Sequence, residues 1–104
     1  MNKRYVDGRN KEYLVQKQLR LEGYESVRSA GSKGNWDIVA WLVRPENELE
    51  QSLFRFIQSK TGIPPKREIR KLSSAPVPHS VQKELWIFKK GSSPRIIILS
   101  EDVL

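Results

Sequence analysis

The sequence predicts an α/β domain: a central mixed sheet flanked by helices, in the order α-β-β-β-α-β-β. Three observations predict it. A helix-forming stretch over residues 9–22 ends at Gly23. Two short runs, WDIVAWLV (36–43) and LFRFIQSK (53–60), are rich in β-branched and aromatic residues. A second pair of runs, ELWIFKK (84–90) and RIIIL (95–99), follows a basic segment bounded by prolines. At 104 residues the chain suits one compact domain.

The elements follow in order. Residues 1–8 read as a polar lead-in. Residues 9–22 read as a helix, because Lys, Gln, Leu and Arg favour that state and Gly23 is a natural stop. Asp7 or Asn10 is its candidate cap. Leu14, Val15, Leu19 and Leu21 form its apolar side, and Glu12 falls on or beside that stripe. Residues 24–30 form a candidate strand, and GSKGN (31–35) is a turn with two glycines. WDIVAWLV is nearly continuous in apolarity, so it reads as a central strand buried on both faces, with Asp37 its sole interior polar residue. Residues 44–52 connect it to LFRFIQSK as a hairpin. Gly62, Pro64 and Pro65 then break the chain. KREIRKL (66–72) follows as a short, very basic helix that stops before Pro76 and Pro78. The last two strands form a second hairpin across Gly91-Ser92-Ser93-Pro94.

Charge narrows the partners. Nineteen Lys and Arg against twelve Asp and Glu give a net charge of +7 and a pI near 9.9. Such a surface attracts polyanions, nucleic acid first and anionic membrane second, although it also serves plain solubility. The chain has no cysteine, which excludes disulfides, Cys-ligated zinc and a thiol nucleophile. No apolar stretch is long enough to span a bilayer, and the first residues lack a signal-peptide core. The expected compartment is the cytoplasm, with no membrane partner.

Polar residues embedded in apolar elements carry the chemistry. Glu12 sits on the first helix, Asp37 in the second strand and Gln58 in the third, with Lys60 on the same strand face as Gln58. If the hairpin pairs Asp37 near Gln58 and Lys60, these groups meet at one sheet edge, and the first helix brings Glu12 over them. Oxygen donors of this kind suit a hard ion such as Mg²⁺, which takes few protein ligands and keeps waters. The ion neutralises phosphate charge and acidifies a bound water. A lysine beside it orients that water or stabilises the transition state. This is the chemistry of phosphodiester hydrolysis. Singly, each residue also has a plainer reading: Lys60 as a solvated strand end, Gln58 as an edge residue, Asp37 as a turn cap, and Glu12 as a flank charge paired with Gln16 or Lys17.

The stretch RSAGSKGNWDIVAW (28–41) resembles the signature of the archaeal Holliday-junction resolvases, members of the PD-(D/E)XK nuclease superfamily. The resemblance covers about residues 8–62 well and the rest in outline. It implies a restriction-endonuclease-like core and a Mg²⁺-dependent endonuclease, with Mn²⁺ as a substitute. Glu12 is then the helix carboxylate that assists metal or water, and Asp37 the principal metal ligand. Gln58 stands where a second carboxylate ligand is expected, and Lys60 matches the catalytic lysine. Ser32 matches the serine of a mobile loop near the scissile phosphate. Arg9 and Arg28 match positions that approach the DNA backbone. Family members are symmetric dimers whose paired sites cut two strands of a four-way junction, so branched DNA and a homodimer are the implied partners.

Gln58 departs from the pattern. Its amide oxygen is a neutral, weaker ligand than a carboxylate and removes one negative charge from the site. Two rivals therefore stand beside the resolvase. One is another nuclease of the superfamily with a restriction, repair or viral role on a different DNA structure. The other is a non-catalytic nucleic-acid-binding module with a lapsed site. Lys33, Lys66, Arg67, Arg70 and Lys71 complete the candidate phosphate contacts. His79 reads as a loop residue, and the tryptophans read as core or dimer contacts. Ile96, Ile97 and Ile98 read as a buried strand, or as a dimerisation candidate if that strand is an edge.

Overall fold

A computed structural model describes residues 3–29, 34–46 and 51–99, with side chains from residue 10 onward. The chain folds as an α/β layer structure. Its elements are α1 (Lys3–Leu21), β1 (Tyr24–Arg28), β2 (Ile38–Leu42), β3 (Phe54–Thr61), α2 (Lys66–Ser74), β4 (Val81–Phe88) and β5 (Arg95–Leu99). The five strands form one mixed sheet in the order β1-β2-β3-β4-β5. Neighbours pair antiparallel, as both expected hairpins do, except β3 and β4, which are parallel and joined by the α2 crossover. Among the described residues, no helix is long and apolar enough to cross a membrane.

The two helices cover opposite faces of the sheet, and each covers only part of its face. On the α1 face, Val15 and Leu19 pack with Tyr24, Ile38, Ala40, Ile57, Trp86 and Phe88. On the α2 face, Leu72 packs with Leu85, Ile87 and Leu99, joined by Ile69, Ile97 and Trp36. The first helix therefore spans β1 to β4, whereas the second overlies β4 and β5. What stays uncovered is apolar: Val27, Trp41 and Phe54 on the α2 face, and Ile96 and Ile98 on the α1 face.

This arrangement corrects several sequence expectations. α1 begins at Lys3, so the supposed lead-in is helical and Asp7 and Asn10 lie inside the helix. Only Val15 and Leu19 of its apolar side are buried; Leu14 and Leu21 stay exposed. β2 has a strand on each side but is not buried on both faces, because its burial alternates and Trp41 is 36% exposed. The doubly covered strand is β4, buried throughout from Lys83 to Phe88. Two helices on opposite faces overlap only there. β4 also starts earlier than expected, at Val81, because Lys83 finds carbonyl partners in Ala75, at 3.1 Å, and Ser73. β5 is an edge strand with Ile96 and Ile98 exposed rather than a buried one.

Gly23 fixes the exit of α1. It has φ of +96°, and a Cβ there would collide with the Arg44 carbonyl. Its own carbonyl accepts the N–H groups of Val43 and Arg44, each at 2.9 Å, which ties the helix end to the end of β2. Gly23→Ala is expected to cost at least about 2 kcal/mol, combining the left-handed strain with the collision. Urea unfolding followed by circular dichroism measures it; an unchanged midpoint would contradict this account.

Candidate functional site

The site begins where β2 ends. Asp37 lies one residue before β2, yet its backbone is held from both sides. Its N–H donates to the Ile57 carbonyl at 2.8 Å, and its carbonyl accepts the Ser29 N–H at 2.8 Å. Ile38 opposes Ile57 in the register, so Asp37 falls opposite Gln58. β3 runs on past β2, and the Ser59 N–H has no strand partner there. The Asp37 carboxylate supplies one: Oδ2 accepts the Ser59 N–H at 2.9 Å and the Ser59 hydroxyl at 3.1 Å. A backbone donor at a strand end is thereby satisfied, and the carboxylate is oriented by two bonds.

Strand alternation places the remaining residues. Ile57 faces α1, so Gln58 and Lys60 face α2, opposite Leu85 and Ile87 of β4. The Gln58 Oε1 atom is buried and has no hydrogen-bond partner among the described residues. A buried, unpaired acceptor is uncommon and costs free energy unless something fills it. Beside it, Trp36 packs at a tilt on Phe56, with 6.1 Å between ring centroids. Lys60 Nζ reaches Glu68 Oε1 in the first turn of α2 at 2.9 Å. Both side chains are about one-third exposed, 35% and 37%, so the pair adds little stability.

Glu12 is not brought to this group. It lies on the α1 face, where Oε1 accepts from Arg28 Nε at 2.8 Å. The Arg28 guanidinium also sits 5.3 Å from the centroid of the Tyr13 ring. The partner of Glu12 is thus Arg28, not Gln16 or Lys17. Ser32, Lys33 and the Arg9 side chain lie outside the described residues. Lys66, Arg67, Arg70 and Lys71 are all exposed on α2. That helix turns Ile69 and Leu72 to the sheet, leaving a cationic outer surface that attracts phosphate. His79 is exposed in a loop. Among the described residues, no three His, Cys, Asp or Glu side chains gather as a metal cage.

Two groups of residues escaped the sequence reading. Glu68 and Ser59, the partners of Lys60 and Asp37, form the first. The second is a buried charge cluster at the opposite end of β3, on the α1 face. Arg55 donates to Glu84 through Nε at 2.6 Å and Nη2 at 2.9 Å, and through Nη1 to Glu22 at 3.1 Å. Glu84 is fully buried and also accepts from Gln82 at 2.7 Å and from the Trp86 indole at 2.9 Å. Burial disfavours the charged Arg55, yet bonds and charge from Glu84 and Glu22 outweigh it and hold the guanidinium above its ordinary pKa. The guanidinium lies 4.9 Å from the Tyr24 ring centroid. Burial raises the Tyr24 pKa, with Arg55 opposing, and the phenol donates to the Ser52 carbonyl at 2.6 Å. Alternation held the available signal: Phe54 and Phe56 share one face, which sends Arg55 inward with Ile57 and calls for an acid there.

Among the described residues, the arrangement offers an oriented carboxylate, an amide oxygen with no hydrogen-bond partner and a lysine, toward the ends of two paired strands. No family model, no curated protein and no solved structure matches this chain.

Proposed function

We propose that the chain is a divalent-cation-dependent DNA endonuclease with a restriction-endonuclease-like core, most like a Holliday-junction resolvase. One observation carries the reading. Asp37 opposes Gln58 near the ends of β2 and β3, and Gln58 Oε1 is buried with no hydrogen-bond partner among the described residues. Lys60 follows on the same strand face. The donor set fits a hard ion that keeps most of its waters, as Mg²⁺ and Mn²⁺ do, and does not fit a cage of carboxylates. Asp37 and Gln58 would hold the ion, which when bound supplies an acidified water and neutralises phosphate charge.

The chain's own residues do the rest. Ser59 fixes the Asp37 carboxylate through Oδ2, leaving Oδ1 for the ion. Lys60 meets the phosphate by exchanging Glu68 for it. The cations of α2 draw the DNA backbone without reading sequence. Branched DNA is the substrate in this reading and a homodimer the working form.

A second reading, a nucleic-acid-binding module without catalysis, is favoured by the ion pairs. Glu12 is spent on Arg28 and Lys60 on Glu68, and Gln58 stands for a carboxylate. Calorimetry with Mn²⁺ on the wild type and on Gln58→Glu separates the two. Under the nuclease reading, the added charge tightens Mn²⁺ at least about tenfold, a change of roughly 1.4 kcal/mol. Cleavage then appears on at least one of four-way, forked, linear or single-stranded DNA. Undetectable Mn²⁺ binding by both forms, with DNA binding intact, would establish the module instead.

A further inference from the structure

The uncovered part of the α1 face holds a cavity that the candidate site does not use. It has a volume of about 420 Å³ and lies between the first half of α1 and the carboxyl ends of β3 and β4. β3 and β4 are parallel, so their ends coincide at Thr61 and Phe88, and the Gly62 N–H donates to the Phe88 carbonyl at 3.2 Å. In open α/β sheets the crevice outside the carboxyl ends of parallel strands is the usual place for a ligand.

The lining has two chemistries. Leu14 and Phe88 make an apolar wall. Lys11, Lys89 and Lys90 rim it, with Asn10 and Thr61 between them and no acidic residue in the lining. Lys11 Nζ donates to Thr61 Oγ1, which seats that ammonium at the mouth. Lys89 and Lys90 are exposed and have no ion pair among the described residues. A cavity of about 480 Å³ continues from it along α1, sharing Leu14 and Phe88 and adding Lys17, Pro94 and Ile96. The result is a trough with apolar walls and a cationic rim. A flat apolar body carrying negative charge is complementary to it. An uncharged lipid tail would leave the lysines idle, and a polyacidic peptide without apolar side chains would leave the wall idle.

We propose that this trough binds an unpaired nucleotide, its base against Leu14 and Phe88 and its phosphate between Lys11, Lys89 and Lys90. Stacking on an apolar or aromatic wall with lysines tracking the backbone is the general physics of single-strand binding. The proposal does not depend on cleavage. Lys60 and Thr61 are successive residues of β3 that face opposite sides of the sheet, so a strand in the trough lies across the sheet from Gln58 and Lys60.

Fluorescence anisotropy with labelled oligo(dT) and with a duplex of equal length tests it. Three variants are compared with the wild type: Lys89→Gln/Lys90→Gln, Leu14→Glu, and Arg67→Gln/Arg70→Gln on α2. Leu14 and the substituted cations are exposed, so folding is preserved. Both trough variants are expected to weaken oligo(dT) about tenfold or more while changing duplex binding less than about threefold. The lysine pair should also lower the slope of log K against log salt by roughly 1.4 for the single strand. The α2 variant should weaken both DNAs alike. Titration with dTMP, followed by the amide signals of Leu14, Thr61 and Phe88, identifies the source. Affinity that rises tenfold from dTMP to oligo(dT) assigns a strand, and equal affinity assigns a free nucleotide. The proposal is overturned if the wild type does not bind oligo(dT), if the trough variants weaken both DNAs equally or neither, or if polyglutamate moves the same signals as strongly.

Discussion

Glu84→Ala is expected to lower the unfolding free energy by about 3–5 kcal/mol. The carboxylate is fully buried and takes both strong Arg55 bonds, the Gln82 amide and the Trp86 indole. Its removal leaves the 6%-exposed Arg55 charge with Glu22 as its acidic partner among the described residues, and Glu22 is itself partly open to solvent. Two neutral donors lose their acceptor in the same step. A domain of this size has a total stability of about 5–15 kcal/mol, so the loss is a large fraction of it. Arg55→Met/Glu84→Leu, which removes both charges, should cost much less, because the penalty lies in the unpaired charge and not in the absence of the pair. Urea titration followed by far-ultraviolet circular dichroism reads both variants. Fluorescence is unsuitable, since Trp86 belongs to the cluster. A single substitution that costs no more than the double one would refute this account of the cluster.

Under the nuclease reading, Asp37→Ala and Lys60→Ala are each expected to reduce DNA cleavage at least about 100-fold, while leaving DNA binding within about threefold. The two losses arise differently. Without Asp37, the only charged oxygen of the proposed metal set is gone, and the Ser59 N–H loses its acceptor. Without Lys60, the proposed phosphate contact loses its cation, and Glu68 loses its ion-pair partner on α2, near the proposed DNA path. Lys60→Ala/Glu68→Gln should therefore bind DNA better than Lys60→Ala alone and cleave no better. The double variant Asp37→Ala/Lys60→Ala should be little worse than either single one, as expected for residues acting as a unit. Cleavage that survives both single substitutions would end the nuclease reading.

The fold was legible in the sequence where local signals agree. RIIIL became β5 to the residue, because Pro94 and a run of β-branched residues point the same way. WDIVAWLV and LFRFIQSK paired as an antiparallel hairpin, and that pairing set Asp37 opposite Gln58. Burial was less legible, because it depends on where the helices land. A run such as Val39 and Trp41 reads as core, yet neither described helix covers that face of β2. Lys83, a poor core residue by composition, is buried because two carbonyls at the end of α2 receive its ammonium. The same limit applied to the site. Asp37 and Gln58 share a strand pair, whose register follows from alternation. Glu68 belongs to a crossover helix, and no periodicity in KREIRKL says that it reaches back to Lys60. The Arg28 partner of Glu12 likewise depends on how α1 crosses β1.

The overlap of the two helices on β4 has a consequence for exchange with deuterated solvent. Amide protons of Leu85, Trp86 and Ile87 are bonded between two strands and screened from solvent by a helix layer above and another below. They open only with the whole molecule, so their exchange rates report global unfolding. Among the described residues, β1 and β5 each lack a neighbour on one side, and each exposes part of its length: Val27 in β1, and Arg95, Ile96 and Ile98 in β5. Their amides exchange through local fraying, orders of magnitude sooner. The chain is thus held from the inside outward, by the buried stretch of a single strand, Lys83 to Phe88, with a neighbour on each side.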